Sequence, residues 1–459
     1  MDLPITFIQR TRPLLGEEWE DFKKSLEEPS PVSIRLNSKK IDVNTCIEEG
    51  VAWCSKGFYL PKRPQFTFDP LLHAGCYYVQ EASSMFISQI LKQYIGNEAV
   101  KVLDLCAAPG GKSTLIADAI SNESLLVSNE VIRSRANILS ENLAKWGFPN
   151  VVVTNNDPAD FAKLEGFFDV VLVDAPCSGE GMFRKDAGAI NEWSEANVKL
   201  CKERQQRILR DVWPSLKAGG LIIYSTCTYN LDENEQNVQW ISEELDAEAL
   251  PVDIEPDWGV NPSLMNGIPA YRFFPHKIKG EGFFCAVLRK TGEDNPKTRK
   301  FKPAKEKPSK TTLSAEARDY IKDKENHIYY QNKDSWYAFN KSLYPDVQYL
   351  KSALHIISEG VCLGEYKGKD FIPNQSLAMS QLLDKGAFPI CELSWEQAIS
   401  YLRKEALMLD NQPKGYILLT YKDMPLGFVK NIGNRANNLY PQEWRIRSAD
   451  IPREEVRVI

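Results

Sequence analysis

Two cysteines stand where chemistry is expected: Cys177 in Asp174-Ala-Pro-Cys-Ser-Gly179, and Cys227 in Ser225-Thr-Cys-Thr228. Each follows a short apolar run, Val170–Asp174 or Leu221–Ser225, that reads as a strand. A lone cysteine after a strand is more often inert packing. Two at adjacent strand ends, one in a Pro-Cys-Ser-Gly turn and one between threonines, point instead to a sulfur nucleophile. Enzymes that methylate an exocyclic amine often carry Asp or Asn, Pro, Pro and then an aromatic ring at such a strand end. Here Asp174-Ala-Pro-Cys177 puts a thiol where that ring would stand. A thiol suits a carbon target, because C5 of a pyrimidine is too electron-poor to take a methyl group until a nucleophile has added at C6. With a reference pKa of about 8.5, a few per cent of a free thiol is ionised near neutrality.

A second constellation supplies a ligand loop. Lys101–Thr114 runs from a short apolar strand ending in Asp104 through Cys106-Ala107-Ala108-Pro109-Gly110-Gly111-Lys112 into a helical pattern. Gly110 and Gly111 carry no Cβ, so backbone N–H groups and the following helix N-terminus can approach a ligand closely. A P-loop is excluded, because Cys106 occupies the position of its first glycine, and the dinucleotide G-x-G-x-x-G spacing is missing. What remains is an adenosine-bearing, mostly uncharged ligand, with S-adenosylmethionine foremost; the alternative is an ordinary strand-to-helix turn whose glycines serve packing. Acids recur at successive strand ends: Asp104, Glu130, Asp157 and Asp174. Glu130, after the second strand, suits a ribose, since its oxygens can accept both vicinal hydroxyls. Asp157-Pro158 fits the rim of an adenine pocket.

These residues need an alternating sheet to bring them together. Strands are expected at Val100–Leu105, Leu125–Asn129, Val151–Thr154, Val170–Asp174 and Leu221–Ser225, with helices between them and a closing hairpin at Tyr271–Phe274 and Phe283–Leu288. The fold class is α/β, a Rossmann-like doubly wound sheet, mostly parallel with an antiparallel edge. In such a sheet ligands lie outside the carboxyl ends of the strands. The expected organisation is a small α+β lobe over 1–95, the catalytic domain over 96–290, a basic linker over 291–312, and a C-terminal α+β or β region over 313–459, in one part or two.

Composition bounds the class. The 459 residues are 43% hydrophobic, as in a globular protein, and no apolar run reaches the roughly 20 residues that span a bilayer. The N-terminus has no charged segment followed by an apolar one, so a cytoplasmic location without membrane contact is expected. The ten cysteines lack C-x-x-C spacing, which argues against zinc and against a disulfide framework. The net charge of −6 speaks only weakly against a nucleic-acid partner, because phosphate binding depends on a local basic face. Arg133, Arg135, Arg184, Lys185 and the helix carrying Lys199, Lys202, Arg204, Arg207 and Arg210 form a candidate phosphate track.

The runs Asp104–Lys112, Asp174–Gly179 and Ser225–Thr228 together resemble the motifs of the Sun-type (Fmu) RNA cytosine-5 methyltransferases. The similarity extends to Ser33-Ile-Arg-Leu-Asn37, Gln80–Met85 and Gly282-Phe-Phe284, while Gly427–Lys430 and Asn438–Pro441 resemble the RNA-binding extension of the RsmF branch, with a PUA-like end. The resemblance implies methylation of C5 of cytosine in RNA, with small-subunit (16S) ribosomal RNA as the substrate, free or within the subunit or an assembly intermediate. It implies Cys227 as the nucleophile at C6, Cys177 as the residue that releases product, Asp174 against N3 and the amine of the cytosine, and Lys112 near the base or the methionine carboxylate. It also implies Cys106 to Lys112 with Glu130, Asp157 and Asp174 as the binding set for S-adenosylmethionine, no metal, and a monomer. The alternatives are the same chemistry on transfer RNA and a non-catalytic RNA-binding assembly factor.

Overall fold

The computed structural model describes residues 1–42, 47–292 and 312–459. The basic linker expected over 291–312 lies, with its lysines, outside the described residues except at its ends.

The centre is a ten-stranded mixed sheet. In chain order its strands are β1 (Lys101–Asp104), β2 (Leu125–Asn129), β3 (Val151–Thr154), β4 (Phe168–Asp174), β5 (Leu216–Thr226), β6 (Ala247–Leu250), β7 (Asn261–Pro262), β8 (Tyr271–Phe273), β9 (Phe283–Lys290) and β10 (Ile356–Glu359). The spatial order is β7-β8-β9-β5-β4-β1-β2-β3-β10, with β6 paired to β9. The five strands from β5 to β3 pair in parallel, and the pairs outside them are antiparallel. The expected hairpin forms, but β9 inserts beside β5 and leaves β8 outside it. The second edge is closed by β10, a strand of the C-terminal region that extends the catalytic sheet. From β1 the chain winds first through β2 and β3, then crosses to β4 on the other side. The β1/β4 boundary is therefore the switch point, and the loops after Asp104 and Asp174 diverge there and leave a crevice.

Residues alternate between two buried layers, as the period of a strand requires. Val102, Leu126, Val170 and Ile223 face a layer closed by the helix Ile87–Tyr94 and by Met85 and Phe86 of the N-terminal lobe. Leu103, Val127, Val171 and Ile222 face α3 (Glu195–Val212), α4 (Glu235–Glu244) and the helix Tyr344–Ala353 of the C-terminal region. Two further helices of the sheet, α1 (Gly111–Ala119) and α2 (Arg133–Trp146), follow β1 and β2.

The N-terminal lobe carries its own four-stranded sheet, and the C-terminal region carries two more. The last of these, Ile390–Glu392 through Ala436–Asn438, shares a core with the lobe: Trp395, Ile399 and Tyr401 pack with Ile34, Phe68 and Tyr77. Trp395 also donates its indole N–H to the Phe68 carbonyl at 2.9 Å. Among the described residues no helix is long and apolar enough to cross a membrane.

Candidate active site

The two thiols meet. Cys177 Sγ and Cys227 Sγ lie 3.1 Å apart, and the Cys227 backbone N–H donates to Cys177 Sγ at 3.3 Å. Parallel register sets Asp174 beside Ser225, so the turns that follow β4 and β5 emerge together. They close up at Gly181, whose N–H donates to the Cys227 carbonyl at 2.9 Å. A Cβ at Gly181 would fall 2.7 Å from the Gly282 carbonyl oxygen and 3.0 Å from that of Cys227, so a side chain here would force the turns apart. The hydrogen bond to Cys227, then burial, hold the Cys177 thiol well above its ordinary range. Cys177 therefore keeps its proton, in a sulfur–sulfur contact in which either thiol can donate.

A buried polar network underlies the pair. Glu233 accepts from the Ser178 N–H at 3.0 Å and Gln205 Nε2 at 2.7 Å through one oxygen, and from Asn230 Nδ2 at 2.8 Å through the other. Glu180 accepts from the N–H groups of Tyr229 and Asn230 at 2.7 and 3.0 Å and from Trp193 Nε1 at 3.0 Å. Both carboxylates thus join the Cys177 turn to the Cys227 turn. Burial pushes the Glu233 carboxyl up, opposed by these donors.

Asp174 accepts from Ser225 Oγ at 2.8 Å and pairs with Lys112 Nζ at 2.8 Å. Burial acts to lower Lys112, but Asp174, with Asp104 and Cys227 behind it, outweighs burial and holds the ammonium above its ordinary value. Lys112 is thus held charged beside Asp174. Asp104, completely buried at the end of β1, accepts from Ser113 Oγ at 2.6 Å, while its other oxygen has no partner. Burial, reinforced by Asp174 and Glu130, pushes that carboxyl up to about 7.

A cleft of about 580 Å³ runs along the carboxyl ends of β1, β2, β4 and β5. Cys106, Ala108, Glu130, Asp157, Asp174, Cys177 and Cys227 line it. Ala107, Pro109, Gly110, Gly111 and Lys112, also expected in the cofactor site, are not among the residues lining it. Gly110, at φ +119°, turns the chain into α1, and a Cβ there would meet Leu139 Cδ1 of α2 at 3.3 Å. Glu130 accepts from the Ile132 N–H at 2.9 Å and faces Arg135 at 3.3 Å. Asp157 caps the following turn through the Ala159 N–H at 3.1 Å and faces Arg207 at 3.8 Å. Val131 and Ile132 are 55% and 49% exposed and give the cleft an apolar wall. Among the described residues no group of three or more His, Cys, Asp or Glu side chains is arranged to hold a metal ion.

The basic residues divide. Arg204 and Arg207 of α3 line the cleft, and Arg133 is exposed at the start of α2. Arg184 is no part of a phosphate track: its side chain is 5% exposed and bonds Glu281 at 2.9 Å and the Ser25 carbonyl at 3.3 Å. It joins the first helices of the chain to the catalytic domain. Sequence reasoning also missed the supports of the glycine turn. Arg35, fully buried, donates to Thr114 Oγ1 at 2.6 Å, the Gly111 carbonyl at 3.3 Å and Gln80 Oε1 at 2.8 Å. Its signal was a charged residue in the middle of the apolar strand Val32–Leu36. Glu180 and Glu233 gave no signal beyond acids close behind each cysteine.

Residues 90–289 match the family described as 16S rRNA methyltransferase RsmB/F. Residues 3–82 match the N-terminal domain of 16S rRNA methyltransferase RsmF, and 388–446 the methyltransferase RsmF PUA domain. The chain is 32% identical to ribosomal RNA small subunit methyltransferase F of Serratia proteamaculans and 30% identical to that of Erwinia tasmaniensis, with 96% of each chain covered in both cases. Among solved structures it resembles a methyltransferase homologue from Pyrococcus horikoshii, with 30% identity and a TM-score of 0.54 over 62% of this chain and 94% of that one. A second, NSun6 from Pyrococcus horikoshii with SFG, is 21% identical with a TM-score of 0.54 over 63% of this chain and 99% of that one, a likeness of fold.

Proposed function

The chain belongs to the RsmB/F family of 16S rRNA methyltransferases, and from that premise we propose that it methylates C5 of a cytosine in small-subunit ribosomal RNA through a covalent adduct between Cys227 and C6. The thiol pair at 3.1 Å carries the reading. Methylation of a ring nitrogen or an exocyclic amine, already nucleophilic, has no use for two thiols at the end of the substrate crevice. A C5 target needs one sulfur to add to the ring and a means to release it.

S-adenosylmethionine is the methyl donor, supplying an electrophilic carbon. The residues present fit it: Glu130 and Asp157 line the cleft for its polar sugar side, the exposed faces of Val131 and Ile132 give its adenine an apolar wall, and the unpartnered oxygen of Asp104 is an idle acceptor buried at the end of β1. Cys227 sulfur bonds to C6, and the C5–C6 π electrons move to C5. Asp174, beside Lys112, holds the N3 and amine edge of the base and helps charge develop on the ring as C6 is attacked. After C5 has gained its methyl group, a base takes the C5 proton, the electrons of that C–H bond restore the C5–C6 double bond, and Cys227 is expelled as thiolate. Cys177, 3.1 Å from that sulfur, steadies the departing thiolate. The base must leave its stack to reach this crevice, so unpaired or partly unfolded RNA is the preferred form.

Incubation of the enzyme with cofactor and ribosomal RNA tests the assignment. Cys227→Ala abolishes methyl transfer, whereas Cys177→Ala accumulates a protein–RNA adduct that survives denaturing electrophoresis. Interchanged phenotypes, or wild-type behaviour of both variants, overturn it. Bisulfite sequencing of 16S rRNA from cells with and without the protein reads the C5 position directly.

A further inference from the structure

A second cavity, of about 240 Å³, opens where the N-terminal lobe meets the C-terminal region. Lys39, Lys40, Lys322 and Lys385 line it, and no carboxylate does. They come from three stretches of chain, Lys39 with Lys40, Lys322, and Lys385, and backbone contacts hold Lys40, Lys322 and Lys385 in place. Lys40 Nζ donates to the Ala74 and Lys145 carbonyls at 2.7 Å each, Lys385 Nζ to the Asp423 carbonyl at 2.8 Å, and the Lys322 N–H to the Leu382 carbonyl at 2.8 Å. Gln381, also in the wall, has its side-chain nitrogen buried without a partner. Lys39 and Lys322 form no ion pair among the described residues. Burial, with Lys385 adding to it, pushes the Lys40 ammonium down to about 8; only Cys76 opposes this, and no carboxylate does.

Cations gathered without a counter-charge repel one another, and an anion in their midst removes the repulsion while meeting the idle amide donor. The anion's source follows from position. Lys40 caps the carboxyl end of α2, whose amino end carries Ile132 and Arg135 into the thiol cleft. The helix has 14 residues, a length of about 21 Å. On the reading that the substrate is RNA, we infer that this lysine cavity takes a backbone phosphate of the same strand, a few nucleotides away from the base held at Cys227. It orients the RNA across the lobe and the C-terminal region before the base is turned out, which gives the docking of those two parts on each other a purpose.

Fluorescence anisotropy with full-length protein and a labelled single-stranded, cytidine-containing oligoribonucleotide, repeated over a range of salt, tests it. Wild type is compared with Lys39→Ala/Lys322→Ala/Lys385→Ala, with the corresponding Lys→Arg triple, and with a control triple of exposed lysines elsewhere, Lys23→Ala/Lys62→Ala/Lys333→Ala. The cavity triple should bind about tenfold more weakly and lower the slope of log affinity against log salt by about 0.7, one phosphate's worth for a single strand. The arginine triple should restore both, and the control triple should change neither. Equal slopes and affinities in wild type and cavity triple, or equal losses in cavity and control triples, overturn the inference. Failure of wild type itself to bind RNA removes the reading of the substrate, a separate and distinguishable result.

Discussion

Replacing Glu233 with alanine removes the acceptor shared by the two thiol turns. Of its three donors, Asn230 Nδ2 has other acceptors, including Glu180 Oε1 at 3.0 Å and Thr228 Oγ1 at 2.9 Å, and is not stranded. The Ser178 N–H is stranded, and so is one hydrogen of Gln205 Nε2, whose other hydrogen bonds the Pro176 carbonyl at 3.0 Å. Two buried donors left unmade cost about 1–3 kcal/mol each. Part of that is offset, because burial already holds the Glu233 carboxyl above its ordinary value, so its removal also relieves a desolvated acid. The expected net loss is about 2–4 kcal/mol. Ser178 adjoins Cys177, so the loss should appear in the chemistry as a fall in single-turnover methyl transfer of about ten- to a hundredfold, the scale of a misplacement near 1 Å. Glu233→Gln, which keeps an acceptor for Ser178 and Gln205, should recover most of both. Thermal melting and single-turnover transfer at saturating cofactor are the two readouts. A variant that melts lower but transfers methyl within twofold of wild type refutes the reasoning, because the thiol geometry would then not depend on this carboxylate.

Gly181→Ala should cost about 1–3 kcal/mol through overpacking against the Gly282 and Cys227 carbonyls, and should slow transfer, as melting and initial rates will show. For Asp104, a folded value of about 7 against an ordinary 3.8 means that the folded protein favours the neutral acid. Its contribution is complete below pH about 4 and is lost as pH rises through about 7, amounting to at most about 4 kcal/mol. The difference in stability between wild type and Asp104→Asn, measured by denaturant unfolding from pH 4 to 8, should fall with pH over that window; a flat difference contradicts it. Arg184→Ala breaks a buried pair with Glu281 and should destabilise by about 3–5 kcal/mol while leaving the salt slope of RNA binding unchanged. Arg204→Ala, at the cleft rim, should instead weaken RNA binding and lower that slope, with little change in melting.

The amino-acid sequence determined the parts whose physics is local. Apolar runs of strand length ending in an acid or a cysteine, and a turn of alanine, proline and glycine opening a helix, require only neighbouring residues, so β1 to β5 and the loop Cys106–Lys112 were legible in place. The two cysteines close behind strands were legible for the same reason, since a residue following a strand is a local fact. Tertiary structure decided what faces what. The 3.1 Å between Cys177 and Cys227 depends on the register of two strands whose thiols are 50 residues apart in sequence. Arg184 and Arg204 looked alike as basic residues near the site, and only packing sent one into a buried pair and the other to the cleft. The same holds for β10, which closes the far edge of the sheet from the C-terminal region, and for Arg35, which reaches the glycine turn from the N-terminal lobe. Strand period and turn propensity act over a few residues, whereas burial and charge pairing select partners across the whole chain.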